Sequence, residues 1–209
     1  MKTIITIIAT FIILNVQAQP GKYEAAMGAA LQELGSANDA NSLTAAGMKF
    51  ERIADAEKTQ WLPYYYAALV KARLSLMKAG DDPDVLADEA TVLADKGIAL
   101  QNNSELSCVK SMIATAKMLV DPSARWMQYS EEMNKYLEIA KKQDTTNPRP
   151  YTLQANNLIN TPEQFGGGCS TALPLAQKAE VLYTAFKPSD ALNPVWGKEM
   201  VERVITKCK

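Results

Sequence analysis

Histidine is absent from all 209 residues. That gap removes His-based catalytic triads, most zinc sites and the commonest general base. Carboxylate chemistry is not obviously available either, because Glu131/Glu132 and Glu199/Glu202 lack facing partners and read as solvated helix surface. No excess of one charge exists: 22 Lys and Arg oppose 23 Asp and Glu. A nucleic acid or an acidic membrane would call for a basic surplus. Sustained alternation with tight-turn dipeptides is missing, which argues against strands. Metal-loop spacing is missing too. Asp81, Asp82, Asp84 and Asp88 crowd one helix start, but Pro83 interrupts a calcium loop and its Gly and terminal Glu are not there. The expectation is a non-enzyme without metal or cofactor. A hydrophobic share of 47% with 22% charged residues also excludes a disordered chain.

Long apolar runs are scarce, and the one present is N-terminal. Lys2 precedes an apolar stretch from Ile4 to Leu14, and Val16-Gln17-Ala18 supplies small residues for cleavage before Gln19. That is the pattern of a signal peptide over residues 1–18, too short to span a bilayer as an anchor. The expectation is an exported protein, periplasmic or secreted, with 19–209 as a single helical-repeat domain and no integral membrane segment.

Cysteine is also sparse. Cys108, Cys169 and Cys208 allow one internal bridge and leave one thiol. Two antiparallel helices turning near Asp190 would bring Cys169 and Cys208 together at their open end. Closing that loop would stabilise the fold by about 4 kcal/mol on a chain-entropy model. Cys108 lies on an apolar helix face and reads as a buried small hydrophobe.

What is present is a recurring small–x3–apolar–x2–small face: Ala46/Phe50/Ile53, Ala90/Ala94/Gly97, Met133/Leu137/Ala140 and Ala172/Ala176/Ala179. The third members are spaced by 44, 43 and 39 residues. Such a face lets a neighbouring helix approach closely, and the period implies one helical hairpin per repeat. Pro follows a capping residue at Asp82-Pro83, Asp121-Pro122, Asn147-Pro148, Thr161-Pro162 and Asn193-Pro194, which marks helix starts. Apolar steps of three and four, such as Leu106/Val109/Ile113/Ala116/Val120, complete the pattern. The fold class is all-α, about nine helices. Hairpins fall near 22–57, 62–101, 104–143 and 148–187, and a capping helix near 194–207.

Ala90-x3-Ala94-x2-Gly97 followed by Asn102-Asn103-Ser104 resembles a degenerate tetratricopeptide repeat. So do Ala172-x3-Ala176-x2-Ala179 and Leu137-Glu138-Ile139-Ala140 leading to Asn147-Pro148. The resemblance covers most of 22–187, although that family repeats every 34 residues and these hairpins are longer. It implies a short right-handed solenoid whose first helices line an inner groove for protein or peptide recognition.

Three groups are candidates for binding. Trp61, Tyr64 and Tyr65 stand in the densest aromatic run, Trp61 to Tyr66. Successive tyrosines fan out by about 100° on a helix, so at least one ring is expected on the surface, where it could stack on a sugar or peptide. Arg149, Gln154 and Asn157 on the helix after Pro148 could engage a carboxylate or a backbone. Phe165 begins the Phe165-Gly166-Gly167-Gly168 loop, either as a hairpin plug or as a ligand contact. That loop lacks the lysine of a phosphate cradle. The leading expectation is a scaffold binding a protein or peptide through its inner helical surface. The alternative is an envelope module for a small molecule or glycan that uses exposed aromatics.

Overall fold

The chain, described by a computed structural model over residues 20–80 and 82–209, contains nine α-helices, one 3-10 turn and no strand among those residues. The segment expected to be a signal peptide lies outside them. The helices are α1 (Pro20–Ser36), α2 (Ala40–Ala56), α3 (Trp61–Leu76), α4 (Pro83–Leu100) and α5 (Ser104–Val120). They continue as α6 (Pro122–Gln143), α7 (Arg149–Ile159), α8 (Cys169–Ala185) and α9 (Lys198–Lys207). No described helix is long and apolar enough to cross a membrane.

Short links force consecutive helices to pack as pairs: α1 with α2, α3 with α4, α5 with α6, and α7 with α8. Each pair leans on the next through α2–α3, α4–α5 and α6–α7, while α3, α5 and α7 share one layer. α9 covers α7 and α8. Its Val201, Val204 and Ile205 side is buried with Ala172, Ala176 and Ala179.

The recurring small–apolar–small faces explain this packing. α4 buries only Ala87, Ala90, Ala94 and Gly97; α6 only Met133, Leu137 and Ala140; α8 only Ala172, Ala176 and Ala179. α2 buries Ala46, Gly47 and Phe50 with two neighbours, while Ile53 is half-buried against the core. At Gly97 a Cβ would sit 2.9 Å from Leu106 Cδ2, so the approach of α5 depends on the missing side chain.

Helix starts follow the capping chemistry at most marks. Asp82 Oδ1 accepts from the Asp84 amide at 2.9 Å, Asn103 Oδ1 from Leu106 at 3.0 Å, and Asp121 Oδ1 from Ala124 at 3.2 Å. Two marks behave differently. Thr161-Pro162 opens only the 3-10 turn Glu163–Phe165. Asn193-Pro194 opens no helix: α9 begins four residues later, after Gly197 at φ 112°. The residues between α8 and α9 instead cross the α3–α5–α7 layer as an extended strap. Tyr66 Oη donates to the Leu192 carbonyl at 2.7 Å, and Trp196 Nε1 to Tyr65 Oη at 2.7 Å.

Cys169, at the start of α8, is bonded to Cys208, at the end of α9, with Cα atoms 5.4 Å apart. Cys108 is free and fully buried, and burial pushes its thiol well above the ordinary range.

Candidate ligand-binding site

The tyrosine run does not reach the surface. Tyr64, Tyr65 and Tyr66 are all buried. The fan geometry is real, but α3 is enclosed on every side, by α2, α4, α5 and the strap, so each direction meets protein. A helix apolar all round is a buried helix. The charge-free run from Trp61 to Val70 was the signal for it. Of the aromatic residues of this run, Trp61, the first residue of α3, borders a cavity.

Arg149 is also withdrawn from solvent. It is 0% exposed, and its Nη1 donates to Glu105 Oε1 at 2.8 Å. Nη2 donates to the Pro194 carbonyl of the strap. The guanidinium lies 4.7 Å from the Phe186 ring centroid and 5.4 Å from that of Trp196. Asn147 Nδ2 adds a bond to Glu105 Oε1 at 2.8 Å. Burial pushes the Glu105 carboxyl upward against the pull of Arg149, Asn147 and Tyr65. Arg149 therefore fastens the strap and offers nothing to an external carboxylate. The strap in turn covers the surface of the first helices where a peptide was expected. Gln154 Oε1 accepts from Lys141 Nζ at 2.7 Å and lies outside the main groove.

The groove that remains open arises from a mismatch of lengths. α6 has 22 residues and α7 only 11, about 33 Å against 17 Å. Pro162 and the glycines after it stop α7 early. The first half of α6 therefore extends past its neighbour and buries nothing up to Met133. Between that overhang, the second half of α5 and the end of α7 lies a cavity of about 720 Å³. Sites for small molecules span about 300–1,000 Å³.

Among the described residues, no ionisable side chain lines this groove. Met112, Met118, Met133 and Met200 do, four of the nine methionines in the chain. Trp126 and Phe165 lie side by side at it, with ring centroids 6.5 Å apart and planes inclined by 44°, and Phe165 is 65% exposed. Asn156, Asn157 and Asn160 supply amides at one margin, with Asn157 Nδ2 donating to Met133 Sδ at 2.8 Å. Ser111, fully buried, has a side-chain hydroxyl at the groove without a hydrogen-bond partner among the described residues. Such a surface can receive a large flat apolar molecule. It sandwiches the rings between aromatic and thioether contacts and offers hydroxyl and amide groups to the edge.

Of the expected residues, Asn157 and Phe165 meet in this groove, whereas Trp61, Tyr64, Tyr65, Arg149 and Gln154 lie elsewhere. Sequence reading missed the methionines and Trp126. Their only trace was density: Met112, Met118, Met127 and Met133 fall within 22 residues.

No family model matches the chain, and no curated protein matches it. One solved structure is similar over nearly its whole length: the HusA haemophore from Porphyromonas gingivalis. It is 33% identical, with a TM-score of 0.79, and the match covers 90% of this chain and 92% of the other.

Proposed function

The chain belongs to the family of the HusA haemophore, and on that premise we propose that it binds haem as cargo, as a carrier and not a catalyst. The groove between α5, α6 and α7 is the site. The observation that carries the reading is its chemistry: about 720 Å³ without a charged wall among the described residues, with four thioethers and two neighbouring aromatic rings. A metalloporphyrin suits a flat apolar slot and, at the iron, a histidine nitrogen, a cysteine or methionine sulfur or a tyrosine oxygen. With histidine absent, the methionine thioethers are the ligands the groove offers. The carboxylates of haem must then point to water or to Asn156 and Asn160, since no cation lines the wall.

The rest of the molecule is consistent with this role. The described helices pack as successive hairpins, residues 1–18 read as a signal sequence for export, and the bridge between Cys169 and Cys208 suits an oxidising compartment. A peptide held along the first helices is less favoured, because the strap occupies that surface.

Titration of the mature protein with haemin, followed by absorbance in the Soret region, tests the reading. A saturable shift is expected, and Trp126→Ala with Phe165→Ala should weaken binding at least about tenfold through lost stacking area. An unshifted Soret band, or undiminished binding by that double variant, would overturn it.

A further inference from the structure

A second cavity lies on the other side of the Arg149–Glu105 pair, at the start of α5, and nothing in the haem reading uses it. Its volume is about 730 Å³. Its walls come from the α4–α5 and α6–α7 loops, the helix ends beside them and the strap, and their composition differs from that of the methionine groove. Five amide side chains line it, Gln101, Asn102, Asn103, Gln143 and Asn193, set beside the ring of Trp61.

The carboxylates at this cavity are already engaged, whereas Lys187 of the strap lines it without an ion-pair partner among the described residues. Glu105 is held by Arg149 and Asn147, and Asp144 Oδ1 accepts from the Thr146 amide and hydroxyl at 2.8 and 2.6 Å. A cationic ligand would find no free carboxylate in those groups. Part of the polar wall is pre-organised: Gln143 Nε2 donates to Asn102 Oδ1 at 2.7 Å, while Gln143 Oε1 accepts from Ser107 at 2.7 Å. One donor is left over. Asn103 Oδ1 caps α5, but its Nδ2 is buried and has no partner among the described residues. A buried amide donor without an acceptor is unfavourable, so a ligand that opens the wall at Asn103 and brings an acceptor would satisfy it.

We infer that this cavity binds a polyhydroxylated molecule, a saccharide in chemical class. The inference is independent of the haem reading and concerns a separate site. A sugar ring presents an apolar C–H face and a rim of hydroxyls that both donate and accept. The face stacks on Trp61, and the rim meets the amides, with one hydroxyl oxygen accepting from Asn103 Nδ2. The strap forms the far wall through Phe186, Pro188 and Asn193, held in place by the bond from Arg149 to Pro194.

The test uses isotope-labelled mature protein and two neutral probes, maltotriose and chitotriose, followed by NMR. At least one probe should shift the Trp61 indole and the Asn103 side-chain amide saturably, and leave the Trp126 indole unmoved. Trp61→Ala should weaken that binding about tenfold or more. Asn103→Asp keeps the helix cap and deletes the donor, so it should weaken binding by a similar factor even if Trp61→Ala were poorly folded. Both variants should take up haemin like the parent, which separates failure here from failure of the carrier reading. Absence of saturable shifts with both probes, or equal affinity in well-folded Asn103→Asp, would overturn the inference.

Discussion

Replacing Arg149 by methionine tests what holds the strap against the helices. The side chain is fully buried, and it bonds Glu105, Asn147 and the Pro194 carbonyl while lying over Phe186 and Trp196. Methionine retains apolar volume but leaves Glu105 as a buried carboxylate without its cation. Removing one partner of such a pair costs about 3–5 kcal/mol. That is a large part of the roughly 5–15 kcal/mol that keeps a domain folded. Urea unfolding of parent and variant measures the loss, and hydrogen exchange at Trp196 Nε1 reports the strap directly, since that group donates to Tyr65.

The pH dependence supplies the sign. Burial already raises the Glu105 carboxyl, so the folded state binds its proton more readily than the unfolded chain does. The penalty of the buried carboxylate is present above the raised folded value and relieved as pH falls through it. Without Arg149 the upward push is unopposed, so acidification should recover more stability in the variant than in the parent. Glu105→Leu with Arg149→Met should restore part of the loss, because no unpaired charge remains. A cost under about 1 kcal/mol for Arg149→Met, with unchanged Trp196 exchange, would refute this account of the pair.

Four further outcomes follow from the same contacts. Cys169→Ser with Cys208→Ser should lower stability by up to about 4 kcal/mol in urea unfolding. It should also weaken haemin uptake, because the bridge ties α9, which carries Met200, to the end of the loop that carries Phe165. Ala94→Leu, at a fully buried position of the small-residue face, should cost about 1–3 kcal/mol by overpacking, and Ala124→Leu on the exposed start of α6 almost nothing. Met118→Leu with Met133→Leu should leave metal-free porphyrin binding near the parent level while changing the Soret position of bound haemin; unaltered spectra would exclude those thioethers at the iron. Arg125 holds the Asp84 carboxyl below its ordinary range through bonds of 2.6 and 2.9 Å. Asp84 therefore contributes stability above the unfolded carboxyl value that is lost as pH falls through the folded one, and Arg125→Leu should flatten that acid limb.

The scaffold was legible because its determinants are local. Capping residues followed by proline placed α4 and α6, and the small-residue faces identified the second helix of each hairpin, which depends on spacing within one helix. The strap was not legible. Its anchors pair residues 126 and 131 positions apart, Tyr66 with Leu192 and Trp196 with Tyr65, and such contacts leave no periodic trace. The same gap misplaced Arg149 and the tyrosines. A helix flanked by two hairpins was assumed to keep one face open, and the strap closed it. Asn193-Pro194 failed as a helix start because its residues serve the strap: Asn193 Nδ2 bonds Asp190, and the Pro194 carbonyl accepts from Arg149.

The groove sits between these cases, since its cause was visible and its consequence was not. A long helix over 122–143 beside one ending near 160 was readable from capping and proline signals. A repeat of equal helices buries each flank against the next, so an unmatched length must expose about three turns of α6. Those turns carry Arg125, Glu131 and Glu132, yet among them Trp126 lines the groove with the methionines of α5, and Met127 is 86% exposed. Lengthening α7 tests the link between shape and binding. Replacing Thr161 and Pro162 by alanine extends the helix toward that gap at no loss of apolar lining outside the two residues. Haemin uptake should fall in proportion to the helix gained, measured together by circular dichroism and Soret absorbance. Full uptake by a variant with a demonstrably longer α7 would show that the overhang is not what makes the site.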